Sequence, residues 1–207
     1  MLISKISNRK TKRRTFLGGM AASFALSVVP GAAFALTKAD AEKLIRRLSD
    51  DIFKVINSGK SDSAMYNDFD RVLGKYAAIN AISRTVLGPP WRTATPAQQT
   101  AYIKAFRGYL SRKYGKRFRE FIGSQIKVVS AKKVKSGVLV KSVVKFKGSA
   151  PFVVEWQVFE RNGKQQMFDL YIEGISMIKS EREEVGSMLD RSGGKIDKLI
   201  ARLNATG

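Results

Sequence analysis

The chain contains neither histidine nor cysteine. The commonest proton shuttle, the usual soft metal ligands and the thiolate nucleophile are therefore missing, and no serine has an imidazole to activate it. Chemistry here has to come from carboxylates, lysine, serine or tyrosine. Disulfides are equally excluded, so stability rests on packing. Clustered carboxylates are the remaining route to a metal, and the candidate groups, Asp68 with Asp70 and Glu181 with Glu183 and Glu184, have the spacing of solvated helix faces. There is no phosphate-cradling glycine loop, internal repeat or low-complexity segment. An apolar run of the ~20 residues needed to cross a bilayer is missing too. The nearest approach, FLGGMAASFALSVVPGAAFA, is broken by Gly18, Gly19 and Pro30.

That broken stretch reads as part of an export leader. Residues 1 to 14 hold six basic and no acidic residues, the apolar stretch follows, and Ala33-Phe34-Ala35 has the small-x-small form of a leader-peptidase site. The expected division is a signal segment over residues 1–35 and a folded domain over residues 36–207. Arg13 and Arg14 directly before Thr15, Phe16 and Leu17 resemble the twin-arginine signal of the folded-protein exporter; an ordinary secretory leader is the alternative. Either route leads to the bacterial periplasm.

Negative charge is scarce. The chain has 38 Lys plus Arg against 17 acidic residues, and without the six leader cations its net charge is still +15. The excess is concentrated between Lys104 and Lys147, where fourteen basic residues meet one acidic residue, Glu120. Such a face seeks phospholipid headgroups, nucleic acid or an acidic protein, and export argues against nucleic acid. Lys113, Lys116 and Arg117 are the candidate docking cations; a solvated face with no partner is the alternative.

Residues 38 to 58 repeat apolar positions at Leu44, Ile45, Leu48, Ile52, Val55 and Ile56, an amphipathic helix closed by Gly59. Residues 63 to 86 read as one or two shorter helices, stopped at Gly88-Pro89-Pro90. Thr95, Pro96 and Gln98 then form a capping box with proline at the first helical position. The helix they open carries an aromatic stripe of Tyr102, Phe106, Tyr109, Leu110, Tyr114, Phe118 and Phe121. Such a stripe is ordinarily core, yet each tyrosine hydroxyl needs a partner, which also suits a cavity wall with a polar rim.

From Gln125 the apolar period changes to 2, and Asn162-Gly163 between two strand-like runs signals a two-residue hairpin. If Arg161 and Lys164 flank the turn, Val158 faces Met167, Trp156 faces Asp169 and Val154 faces Tyr171. One side then carries Val154, Trp156, Val158, Met167 and Tyr171; the other carries Val153, Phe159, Phe168, Leu170 and Ile172 with Glu155 and Gln157. Neither side is cleanly solvated, which fits a sheet covered on one face and lining something on the other. After Gly174 the chain returns to helix, and a last short helix follows Gly193-Gly194. Helices, a mainly antiparallel sheet, then helices make an α+β fold.

Asp169 and Glu173, four apart on a strand, are expected about 13 Å apart on one face, too far for a glycosidase pair. Asp169 alone can be read as a general base in an apolar pocket, or as a structural carboxylate bonded to Arg92, a tyrosine hydroxyl or backbone amides.

The order VLGPPWRTATPAQQTAYIKAFRGYLSRKYG, a strand ending FDLYIEGISM, and SEREEVGSMLDRSGGKIDKLIARL resembles the MlaC, or toluene-tolerance, family of periplasmic phospholipid-binding proteins. The resemblance covers roughly Lys38 to Leu203, and its most specific pieces are Gly88 with Trp91-Arg92, Thr95-Pro96-Ala97-Gln98, and Asp169 with Glu173-Gly174-Ile175-Ser176. It implies a monomeric, non-enzymatic carrier without a cofactor. Such a carrier shuttles phospholipid between an outer-membrane lipoprotein complex and an inner-membrane ABC transporter, maintaining outer-membrane lipid asymmetry. The implied fold is a helical lobe on a twisted, nuclear-transport-factor-like sheet, enclosing an apolar cavity for the acyl chains with the headgroup near solvent. Mapped here, the wall residues are Tyr102, Phe106, Tyr109, Leu110, Val154, Trp156, Tyr171 and Ile175, to which the hairpin reading adds Val158 and Met167. A related branch accompanies hopanoid synthesis, so a hopanoid-associated carrier, or an isomerase of a steroid-like lipid using Asp169, is the alternative.

Overall fold

A computed structural model describes residues 36–146, 148 and 150–207, apart from the side chain of Phe118. The expected leader and Lys147 lie outside the described residues.

Helix α1 (Lys38–Ile56) starts where the Thr37 hydroxyl accepts from the Asp40 N–H, and its apolar stripe of Ala41, Leu44, Ile45, Leu48, Val55 and Ile56 is buried. Helices α2 (Asp62–Tyr76) and α3 (Ile79–Leu87) follow. Gly88, at φ 69°, ends α3 and leads into a 3₁₀ turn, Pro89–Arg92. Helix α4 (Pro96–Gly115) opens with the expected box: the Gln98 N–H donates to Thr95 Oγ1 at 3.2 Å, and the Thr95 N–H to Gln98 Oε1 at 3.0 Å. It closes at Gly115, where an added Cβ would lie 2.5 Å from the Tyr66 ring. Any larger residue there would have to displace the Tyr66 ring of α2.

The sheet is an antiparallel meander in the order β1 (Gln125–Val134), β2 (Gly137–Lys145), β3 (Phe152–Arg161), β4 (Lys164–Ile172), β5 (Ile175–Ser176). Asn162 (φ 53°) and Gly163 (φ 70°) make the two-residue turn predicted for β3–β4. The predicted register holds from Arg161↔Lys164 to Val158↔Met167 and then breaks. Phe168 is an extra residue on β4, so Gln157 pairs with Asp169, Trp156 with Leu170 and Val154 with Ile172. Because side chains alternate faces, one inserted residue exchanges the two faces of β4 beyond it.

A second correction lies at the end of β4. Glu173 (φ 49°) and Gly174 (φ 81°) form another tight turn into the two-residue β5, before α5 (Met177–Asp190) begins. Glu173 is thus in a turn and not on the strand face expected for it. Helix α6 (Ile196–Ala205) follows the predicted break at Gly193-Gly194.

Helix α1 packs on β1, β2 and β4, and α3 and α5 pack on β4, while α4 lies against α2, α3 and α6. The architecture is α+β, with helices laid on one face of the sheet. A backbone tie joins the layers, from the Ala78 N–H to the Met167 carbonyl at 2.9 Å.

Between α1 and α2, Asp51 accepts from Lys75 Nζ at 2.8 Å, from Tyr76 Oη at 2.8 Å and from Lys54 at 3.1 Å. The Lys75 bond, then the Tyr76 hydroxyl, hold its pKa well below the ordinary 3.8. The unfolded chain therefore protonates this carboxylate first, so its contribution is complete above that ordinary value and is lost as pH falls below it. Denaturant unfolding between pH 2.5 and 7 is expected to show Asp51→Asn less stable at neutral pH, with a shallower acid loss than wild type. An unchanged acid slope would remove Asp51 from the account.

Candidate functional site

The covered face of the sheet and the helices enclose a cavity of about 350 Å³. Helix α1 contributes Leu48, Ile52, Phe53 and Ile56, one stripe at helical spacing, and α3 contributes Ile79, Ile82 and Val86. From the sheet come Val154 and Trp156 with Phe168, Leu170 and Ile172. The Trp156 indole N–H donates to the fully buried Ser142 hydroxyl at 3.0 Å, so its polar atom is satisfied by the sheet itself. Among the described residues, the only polar or charged side chains in this lining are Ser49, Tyr114, Arg117, Asp169 and Glu181.

Of the predicted wall residues, Phe106, Leu110, Val154, Trp156 and Met167 lie in the lining. Tyr102, Tyr109 and Val158 are buried in the core and are not part of it. Tyr102 stacks on Phe106 at 5.7 Å between ring centroids and meets Trp91 edge-on at 6.5 Å, so that part of the stripe packs inside the helical layer. Tyr171 is on the other face of the sheet, in a shallow depression with Glu155 and Gln157, because the Phe168 bulge inverts the end of β4. Ile175 is 62 % exposed on the short β5. The bulge replaces Tyr171 with Phe168, Leu170 and Ile172, all of which the unbroken register assigned to the opposite face.

Asp169 is buried and fully engaged. Its carboxylate accepts from the Ser176 hydroxyl at 2.6 Å, the Leu170 N–H at 2.8 Å and the Ile178 N–H at 3.1 Å. It ties β4 to the first turn of α5, where a carboxylate also suits the helix dipole. The Glu173 carboxylate accepts from the Val153 N–H. Both acids hold backbone, and no group of three acidic residues among the described residues converges to hold a metal ion.

A third carboxylate, Glu181 on α5, is 3 % exposed yet lies in the lining. Its Oε1 accepts from the Tyr114 hydroxyl at 2.5 Å and from Lys113 Nζ at 2.7 Å; Lys113 also reaches Glu184 at 2.8 Å. Burial alone would lower the Lys113 pKa, but Glu181 and Glu184 outweigh it and hold the ammonium above its ordinary value. Burial, then the Glu181 charge, pushes the Tyr114 hydroxyl up. This cluster joins α4 to α5 beside the cavity. It also corrects an expectation, since Lys113 is an internal ion-pair partner and not a free docking cation.

The other two predicted docking cations are on the surface. Arg117 pairs with Glu120 at 3.2 Å, its side chain is 68 % exposed, and among the described residues it is the only exposed one in the lining. It therefore marks where the cavity meets solvent. Lys116 is exposed and has no ion-pair partner among the described residues. No helix among the described residues is long and apolar enough to cross a membrane.

Comparison with known proteins places this geometry. The family model described as MlaC protein matches residues 46–205. The intermembrane phospholipid transport system binding protein MlaC of Haemophilus influenzae is 19 % identical over 170 residues, spanning 77 % of this chain and 78 % of that protein. A toluene tolerance protein of Pseudomonas putida is 26 % identical over 141 residues, 67 % of this chain and 65 % of that protein, so just under two thirds of its length is spanned. A phospholipid-binding protein of Ralstonia solanacearum, solved with a phospholipid, shares the fold at a TM-score of 0.69 and 18 % identity, over 80 % of this chain and 95 % of that one. Since the family match runs from within α1 to the end of α6, and so takes in every wall of the cavity, the chain belongs to the MlaC family.

Proposed function

We propose that the protein is a periplasmic phospholipid carrier, shuttling lipid between an outer-membrane lipoprotein complex and an inner-membrane ABC transporter and so maintaining outer-membrane lipid asymmetry. The observation that carries this reading is the apolar cavity, open to solvent beside a cation, Arg117. Its volume falls in the range of roughly 300–1,000 Å³ common for small-molecule sites. An acyl chain of about 16 carbons gives up ~0.8 kcal/mol per CH₂ when it leaves the bilayer for water, so transfer needs an apolar enclosure of this kind. No covalent step is required, and the carrier works as a monomer without a cofactor. The Haemophilus relative, a phospholipid transport binding protein, and the phospholipid held by the Ralstonia protein support the reading. Asp169 argues against the isomerase alternative, because its oxygens already serve Ser176, Leu170 and Ile178.

Native mass spectrometry and organic extraction of protein produced in a bacterial periplasm test it. One phospholipid per chain is the expected result, and Asp169→Asn is expected to retain it. Protein that is empty and accepts no lipid from vesicles would sink the carrier reading. Lipid bound by both forms but chemically altered only by wild type would establish the isomerase instead.

A further inference from the structure

The cavity opens at Arg117, and the chain around that opening has an unusual surface. Lys116 follows the last residue of α4 and is exposed. A 3₁₀ turn, Phe118–Phe121, comes next, and Phe121 both lines the cavity and packs on Phe146 at 4.9 Å, which stacks on Phe152 at 5.5 Å. Ile122, the next residue in the chain after Phe121, stands 56 % exposed. Three residues later β1 starts, with Gln125 paired to Lys145 and Lys127 to Val143. Lys127 and Lys145 therefore share the uncovered face of the sheet on adjacent strands, at the end of the sheet that holds the opening.

Charge at this end is one-sided. Arg117 and Arg119 are paired with Glu120 and Asp62, and Glu173 is turned to the Val153 N–H. Lys116, Lys127 and Lys145 are exposed and have no ion-pair partner among the described residues.

We propose that this rim docks the cavity mouth on an anionic phospholipid bilayer, with Lys116, Lys127 and Lys145 against the phosphates and Ile122 entering the lipid. The inference rests on the carrier reading and adds a surface that holds the cavity mouth at the membrane in which the carrier's partners sit. Flexible lysines on an open face make point-charge contacts that need no fixed partner geometry, which suits a fluid array of headgroups better than a protein's ordered carboxylates. The exposed isoleucine follows Phe121, which lines the cavity, so an apolar side chain stands next in the chain to the wall an acyl chain would meet. Each lysine near an anionic surface adds about fivefold in affinity, and salt removes the effect.

The experiment is co-sedimentation of the protein with phosphatidylglycerol and with phosphatidylcholine vesicles, at low and high salt. Wild type is expected to bind phosphatidylglycerol at low salt only. The triple change Lys116→Gln, Lys127→Gln, Lys145→Gln is expected to weaken that binding about 100-fold. Ile122→Asp is expected to weaken it while leaving phosphatidylcholine unbound. The control Arg161→Gln, Lys164→Gln, Lys198→Gln removes the same charge away from the mouth and is expected to bind like wild type. Equal loss in the two triple variants, equal binding to both vesicles, or binding to an acidic protein without binding to phosphatidylglycerol would overturn the proposal. Mass spectrometry of the same samples separates the two readings: a rim variant that no longer docks but still holds lipid supports the docking surface, whereas a wild type that docks but never holds lipid overturns the carrier reading alone.

Discussion

Leu170→Asp is expected to strip the protein of phospholipid, whereas Tyr171→Asp, one residue further on, leaves it bound. Leu170 sits in the cavity lining opposite Trp156, and Tyr171 sits on the uncovered face beside Gln157. An ionised carboxylate among acyl chains has no partner for its oxygens, and even a penalty of about 3 kcal/mol weakens retention by roughly 100-fold. On the other face the same carboxylate meets water. Leu170 is only half-buried, so the backbone is expected to survive a change that at Trp156, with its bond to Ser142, would also damage the core. The ratio of lipid to protein by native mass spectrometry, with circular dichroism to confirm folding, decides the matter. Loss of lipid from Tyr171→Asp and not from Leu170→Asp would mean that β4 runs without its bulge.

Lys113→Met is expected to produce a large loss of stability. It leaves the Glu181 carboxylate buried with Tyr114 as its remaining side-chain donor. Removing one partner of a buried pair typically costs about 3–5 kcal/mol. Lys113 is partly accessible, which favours the lower end, and at about 2–4 °C per kcal/mol for a domain of this size a fall in Tm on the order of 10 °C follows. Adding Glu181→Leu should recover most of it, because the unpaired charge then disappears along with its partner. Lys116→Met, three residues on and just past the end of α4, is expected to change Tm by no more than a degree or two, since Lys116 has no ion-pair partner among the described residues. Calorimetry on the four proteins tests this. Equal melting points for Lys113→Met and the double variant would show that the charge on Glu181 does not matter.

Both predictions depend on features that neighbouring residues do not announce. The bulge lies in MFDLYI, where apolar residues stand on both sides of Asp169 and either register buries a plausible set. What goes with the bulged register is a contact outside the strand, where Asp169 accepts from Ser176 and from the Ile178 N–H in the first turn of α5. Lys113 reads in the sequence as one more cation in a basic stretch, yet its partners are 68 and 71 residues away.

The sequence by itself determined what depends on adjacent residues: the Thr95–Gln98 box that starts α4, the buried stripe of α1, the Asn162-Gly163 turn, and the absence of imidazole and thiol chemistry. Capping, helical period and turn backbone are settled within a few residues, so their signals survive in the chain. Which aromatic faces the cavity, which lysine stays free and where the cavity opens were decided only by tertiary structure. A side chain's environment is set by elements that meet it from elsewhere, and a single inserted residue, invisible in the apolar pattern, exchanges the two faces of a strand.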